Sequence, residues 1–196
     1  MTLPVPVKSD REYRSITAFT PSDNEEYVVE GYASTFEPYV LYSYDGVDYS
    51  EKIDRNAFAN ADMNDVIFQY DHTGKVYARK SNGTLEVGVD ERGLKIKADL
   101  SKTVASREMY EEIKAGLVTK MSFAFTVGDD EYDRTTHTRT ISKITKVYDV
   151  SAVSIPANPY TDISARSYFD GVIESEKQEL LLRQKKIKKI KLMMEV

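Results

Sequence analysis

Apolar and polar residues alternate with a period of two along most of this chain, and only two stretches carry the helical period. Residues 11–19 and 26–36 read as early strands, the second rich in Tyr and Val around Gly31, a candidate bulge position. Residues 37–50 are tyrosine-rich and read as a loop or an irregular hairpin, and residues 53–61 as holding one helical turn. Over 66–72, alternation puts Val66, Phe68, Tyr70 and His72 on one strand face and Ile67, Gln69 and Asp71 on the other. The plainest hairpin joins strands at 84–90 and 94–100 through Glu91, Arg92 and Gly93. Residues 101–117 form the best internal helix, with Val104, Met109, Ile113 and Leu117 along one side and Gly116 near its end. A strand at 118–127, an exposed hairpin over 129–142 and a strand over 144–155 follow, the last stopped by Pro156 and Pro159. After Gly171 the composition turns to Glu, Lys and Leu, which predicts a helix over 174–194 that need not pack on the body.

At 196 residues the chain suits one domain with tails. The division expected is an extension at 1–10, a domain at 11–170 and a charged helical tail at 171–196. Fourteen tyrosines, many in strand-like stretches, favour an α+β body that is mainly β. With no cysteine, disulfides and thiol catalysis are excluded. No window approaches a membrane span, and the opening residues carry neither a charged leader nor a long apolar stretch, so the simple reading is a soluble cytoplasmic protein. The net charge of −5 divides unevenly, with +3 on residues 174–196 and −8 on the rest. An acidic body argues against a nucleic-acid partner and leaves the short basic tail as the only candidate for one.

Three segments carry chemistry. Ser122 lies on a strand whose other face is Met121, Phe123, Phe125 and Val127, so its own face of Ser122, Ala124 and Thr126 leaves room for an imidazole and a carbonyl. The chain holds two histidines, and His72 follows an apolar strand whereas His137 sits in a polar hairpin. Asp149 interrupts a strand face, shared with Val147, Ser151 and Val153, that otherwise suits burial, and a buried carboxylate needs hydrogen-bond donors. Each also has an ordinary reading: a half-exposed strand serine, a satisfied structural histidine, an edge-strand aspartate facing water. If the strand continues through both, Asp71 points to the opposite face from its neighbour His72 and is a poor partner for it. Two distant histidines cannot build a usual zinc site, Asp129–Asp133 lacks calcium-loop spacing, and no phosphate loop is present, so neither metal nor cofactor is expected.

In order and spacing, these segments resemble the prohead maturation proteases of tailed bacteriophages, a family similar to the herpesvirus capsid protease assemblin. The likeness runs from about 11 to 165. It takes in Gly31 to Phe36, Arg55 to Phe58, the His72 strand, Gly93-Leu94, the helix, Met121 to Phe125, and the run from Val150 through Pro156 to Pro159. Lys120 and Ala124 stand where the family often has glycine, and Asp149 where it often has Glu. The resemblance implies a compact antiparallel β-barrel flanked by helices and a catalytic triad of Ser122, His72 and Asp149. It implies a serine endopeptidase that works inside the immature prohead in the host cytoplasm. Its substrates there would be a scaffold protein, the scaffolding part of the major capsid protein, and itself, with self-cleavage expected near 168–175. A homodimer is the further option the assemblin likeness raises. The competing readings are an inactive protease-fold assembly or scaffolding protein, and a β-barrel module that binds nucleic acid.

Overall fold

The computed structural model describes residues 11–22, 25–154 and 163–194. Ten strands and two α-helices are found among them: β1 (Glu12–Pro21), β2 (Val28–Thr35), β3 (Tyr39–Tyr44), β4 (Val47–Ile53), β5 (Ile67–Tyr70), β6 (Val76–Arg79), β7 (Leu85–Val89), β8 (Gly93–Asp99), α1 (Val104–Lys114), β9 (Lys120–Asp133), β10 (Thr138–Val153) and α2 (Ile163–Met194). The fold is mainly β, as the alternation predicts. The strands follow the path β3-β4-β10-β9-β1-β2-β8-β7, with β5 joined to β10 and β6 joined to β5. The ends of that path, β3 and β7, do not pair, so among the described residues the strands form a long sheet rather than a closed barrel. Nor is the pairing all antiparallel: β10 runs parallel to β4 along its first half and to β5 along its second. Parallel neighbours need long connections, and the chain between these strands and β10 supplies them.

The tyrosine-rich stretch at 37–50 is a hairpin, turned by Asp45 (φ 51°) and Gly46 (φ 77°), the two left-handed residues that match the twist of paired strands. Residues 55–60 form successive turns, closed by Ala57 N–H to Asp54 O and Ala59 N–H to Asn56 O, and no helix. The irregularity in β2 falls between Tyr32 and Ser34 rather than at Gly31. Helix α1 is shorter than its periodicity suggests, because the Thr103 side chain accepts from Ser106 N–H and caps it, while Gly116 (φ 73°) ends it. Val104 and Leu117 therefore fall outside the packed face, which Met109, Tyr110 and Ile113 form. Strand β6 has no counterpart in the sequence reading, and Pro156 and Pro159 lie outside the described residues.

The main core is built by Phe123, Phe125 and Met121 of β9 with Val147, Val150 and Ala152 of β10, Phe68, and the inner faces of β2 and β8. A second cluster seats the start of α2, where Phe169 and Ile173 pack on Leu41, Tyr42 and Tyr49. The helix predicted to begin at 174 thus begins at 163 and is anchored to the body by its first turns, whereas Leu180, Leu181, Leu182, Ile187 and Ile190 are exposed. No helix among the described residues is long and apolar enough to cross a membrane.

Between these clusters lies a buried network of charge that no sequence pattern flagged. Arg14 donates from Nε and Nη2 to the two carboxylate oxygens of Glu51 at 2.6 and 2.8 Å. Arg139 donates to Glu12 at 2.9 and 3.0 Å, to Glu51 at 3.0 Å and to Asp130 at 2.9 Å. Burial alone would push the Glu12 carboxyl up, but the Arg14 charge and the Arg139 hydrogen bond outweigh it and hold it at about 2. Burial likewise disfavours the Arg14 charge, and Glu51 more than reverses that.

The β2–β8 register sets Gly93 opposite Thr35. A Cβ at Gly93 would fall 2.0 Å from Ser34 O and 2.8 Å from Thr35 Cα, backbone atoms that cannot step aside. Gly93→Ala is expected to destabilise the fold by about 2–3 kcal/mol in chemical denaturation. Gly88→Ala on β7, where nothing lies within 4 Å, is the control and should change stability far less. Equal stabilities for the two variants would show that the β2–β8 contact relaxes without cost.

Candidate active site

Ser122 and Asp149 come together through the register of one strand pair. In the β9–β10 ladder Ser122 is opposite Ser151 and Ala124 is opposite Asp149, so all four side chains share one face. A bulge between Val147 and Asp149 breaks the alternation. Val147 consequently pairs with Phe125 on the core face, which separates it from Asp149 and corrects the expectation that the two share a face. Ala124, with no exposed surface, keeps the wall between Ser122 and Asp149 low enough for a ring to lie across it.

His72 reaches that face by leaving its strand. Parallel pairing with β10 sets Phe68 beside Val150 and Tyr70 beside Ala152, both on the core side. A strand continued through His72 would send the imidazole to that side, away from Asp149. Instead β5 ends at Tyr70, and Asp71 (φ 46°) and His72 (φ 57°) both adopt left-handed backbone. Two such residues in succession cost on the order of 1–2 kcal/mol each. The turn is held by hydrogen bonds from Asp71 N–H to Ala152 O (3.0 Å), Thr73 N–H to Tyr70 O (3.1 Å) and His72 N–H to Ser151 Oγ (3.2 Å). The Asp71 carboxylate accepts from the Ser154 amide at 3.1 Å and its hydroxyl at 3.0 Å, which ties the turn to the residue that follows β10.

The result is a continuous relay. His72 Nδ1 lies 2.6 Å from Asp149 Oδ1, and His72 Nε2 lies 2.7 Å from Ser122 Oγ. A carboxylate only accepts, so Nδ1 carries the ring proton and Nε2 is left to accept from the Ser122 hydroxyl. Asp149 is 2 % exposed and Ser122 wholly buried. The Asp149 side chain, one methylene shorter than Glu, still spans to the imidazole. The structure thus brings together all three residues singled out in the sequence, and sets His137 elsewhere: its ring meets Tyr132 Oη at 3.1 Å and the edge of Tyr49.

Two further neighbours border the site, and the sequence assigns a role to neither. Tyr13 of β1 lies edge-on to His72 with ring centroids 4.6 Å apart, while Glu12 and Arg14 on either side of it point into the buried charge network. Ser151 donates to Asp149 Oδ1 at 2.8 Å. Its only sequence signal is its place two residues after Asp149 on the same strand face, whereas nothing local marks Tyr13.

The residues that build this relay fall within a recognised sequence relationship. A curated relative, the "Prohead protease" of Enterobacteria phage HK97, is 26% identical over 151 residues, which cover 76% of this chain and 64% of that protein. This chain therefore spans less than two thirds of the relative's length. No solved structure matches. Residues 12–175, which contain every strand described above together with the anchored start of α2, match the family described as Caudovirus prohead serine protease, and the chain belongs to that family.

Proposed function

We propose that this protein is a serine endopeptidase of phage prohead maturation, with Ser122 as nucleophile, His72 as general base and then acid, and Asp149 as the carboxylate that orients the imidazole. The observation that carries the reading is one imidazole bridging a hydroxyl and a buried carboxylate at 2.7 and 2.6 Å. Ser122 Oγ attacks the scissile carbonyl carbon while Nε2 takes its proton. The imidazolium formed is stabilised by Asp149, then gives that proton to the leaving amine as the C–N bond breaks. Water deprotonated by Nε2 then attacks the acyl-enzyme and regenerates the Ser122 hydroxyl.

The substrates in this reading are scaffold protein or the scaffolding segment of the major capsid protein, cut inside the immature prohead, and the chain itself. Family membership and the HK97 relative's name support that assignment. Self-cleavage within 168–175 has a structural cost. Those residues belong to α2, where Phe169 and Ile173 are buried, and a protease cleft takes extended chain, so the helix must first unwind.

A second reading, an inactive assembly protein on a protease fold, is favoured by one observation. Ser122 has no exposed surface, so in this arrangement its Oγ is not open to a substrate carbonyl. Co-expression of wild type and Ser122→Ala with the cognate capsid and scaffold proteins, followed by intact mass, separates the two. Shortened substrate with wild type alone is expected. Uncut masses in both, with assembly normal, would favour the inactive protein.

A further inference from the structure

We propose that Ser151 is a positioning residue of this site, holding the carboxylate and the base of the relay in one fixed relation. The inference rests on the proteolytic reading above and adds a fourth side chain to it. Ser151 has no exposed surface and lies on β10 directly opposite Ser122, two residues after Asp149 and on the same face. Its Oγ makes two hydrogen bonds, and they run to different members of the relay. The hydroxyl donates to Asp149 Oδ1 at 2.8 Å, and the oxygen accepts the backbone N–H of His72 at 3.2 Å.

Asp149 Oδ1 therefore accepts two bonds, from the Ser151 hydroxyl and from His72 Nδ1–H at 2.6 Å. A carboxylate held by one donor alone keeps rotational freedom about χ2; the second donor removes it and leaves Oδ1 aimed at the imidazole. The bond to the His72 amide acts at the other end. It ties the backbone of a residue in left-handed conformation, and that backbone position decides whether Nε2 stands over Ser122. Neither bond touches the imidazole ring: Ser122, not Ser151, meets Nε2, so Ser151 positions the relay and Ser122 reacts.

This role predicts a particular pattern of losses. In Ser151→Ala the Asp149 carboxylate and the His72 turn both gain freedom, so fewer molecules hold the reactive geometry. On a peptide substrate cut by wild type, kcat is expected to fall about 10- to 100-fold with KM within about twofold. Ser151→Thr, which keeps a hydroxyl on the same Cβ, should recover most of that loss.

A spectroscopic readout keeps the test independent of turnover. With two histidines in the chain, ring resonances are readily assigned. The His72 Nδ1 proton should be observed downfield in wild type and in Ser122→Ala. It should broaden or vanish in Ser151→Ala, and the His72 backbone amide should exchange about tenfold faster. An unchanged Nδ1 signal together with an unchanged kcat in a folded Ser151→Ala protein would overturn the proposal, as would a Ser151→Thr protein that folds but recovers nothing. If wild type itself cuts no substrate, the proteolytic reading fails, while the Nδ1 signal still decides whether Ser151 holds the Asp149–His72 pair.

Discussion

Ser122→Ala protein is expected to cleave its substrates about 10⁴- to 10⁶-fold more slowly than wild type, with its fold intact. The substitution removes one oxygen from a wholly buried position on β9 and disturbs no backbone pairing, so stability should barely change while the atom that would form the acyl bond is gone. His72→Ala should cost a similar factor, because it removes the base that meets the hydroxyl. Asp149→Asn should cost about 10⁴-fold. Its amide can donate to Nδ1, which would move the ring proton to Nε2 and point it at Ser122, blocking the transfer that attack requires. Because the three groups act as one device, the double variant Ser122→Ala/His72→Ala should be no slower than the slower single one. Intact-mass time courses on a capsid or scaffold substrate measure all four rates. Wild-type cleavage by Ser122→Ala would remove Ser122 as nucleophile and make the hydroxyl opposite it, Ser151, the next residue to test.

The largest expected effect on stability comes from the buried charges beneath the site. Arg139→Met should lower the unfolding free energy by about 3–5 kcal/mol, because it leaves Glu12, Glu51 and Asp130 short of a shared partner inside the protein. Domains are stable by only about 5–15 kcal/mol, so such a loss would bring the chain near its unfolding threshold. Arg14→Met should be similarly costly. The double variant Arg14→Met/Glu51→Leu should cost less than the sum of its singles, since it withdraws a bidentate pair together and leaves Arg139 with Glu12 and Asp130. Denaturant titrations of wild type, Arg139→Met, Arg14→Met, Glu51→Leu and the double variant test this, and an Arg139→Met loss below about 1 kcal/mol would show that solvent enters the network.

The same network contributes to the acid sensitivity of the fold. Glu12 is held at about 2, below its ordinary value of 4.5, so its contribution to stability is fully present above pH 4.5. It is lost as pH falls from there toward 2, and amounts to something on the order of 3 kcal/mol. Stability measured between pH 7 and 3 should therefore hold to about pH 5 and then decline, and the Glu12→Gln protein should show a shallower decline than wild type.

Much of the strand content was legible along the chain because burial on one face imposes alternation, and it shows in the 84–100 hairpin, in β9 from Met121 to Val127 and in the second half of β10. The Asp45-Gly46 turn was also written locally, since those two residues accept left-handed backbone, although the tyrosines around it read equally well as loop. The three chemical groups, too, could be named from residue type and from family likeness before any coordinate. Their assembly could not. His72 is 50 residues from Ser122 and 77 from Asp149, and alternation alone sent its ring to the core face. What brings it over the hydroxyl is the parallel pairing of β5 with β10 and the two left-handed residues that follow, both fixed by hydrogen bonds to Ser151 and Ala152 far along the chain. A bulge at Val147–Asp149 shows the same limit, for the face a strand residue takes depends on which residue the partner strand sets opposite it. Likewise Glu12, Arg14, Glu51, Asp130 and Arg139 are ordinary surface residue types, and only the packing of four strands around them turns five charges into a buried network. Periodicity records whether a side chain is buried, whereas its partners are chosen by long-range register, which no local stretch of residues contains.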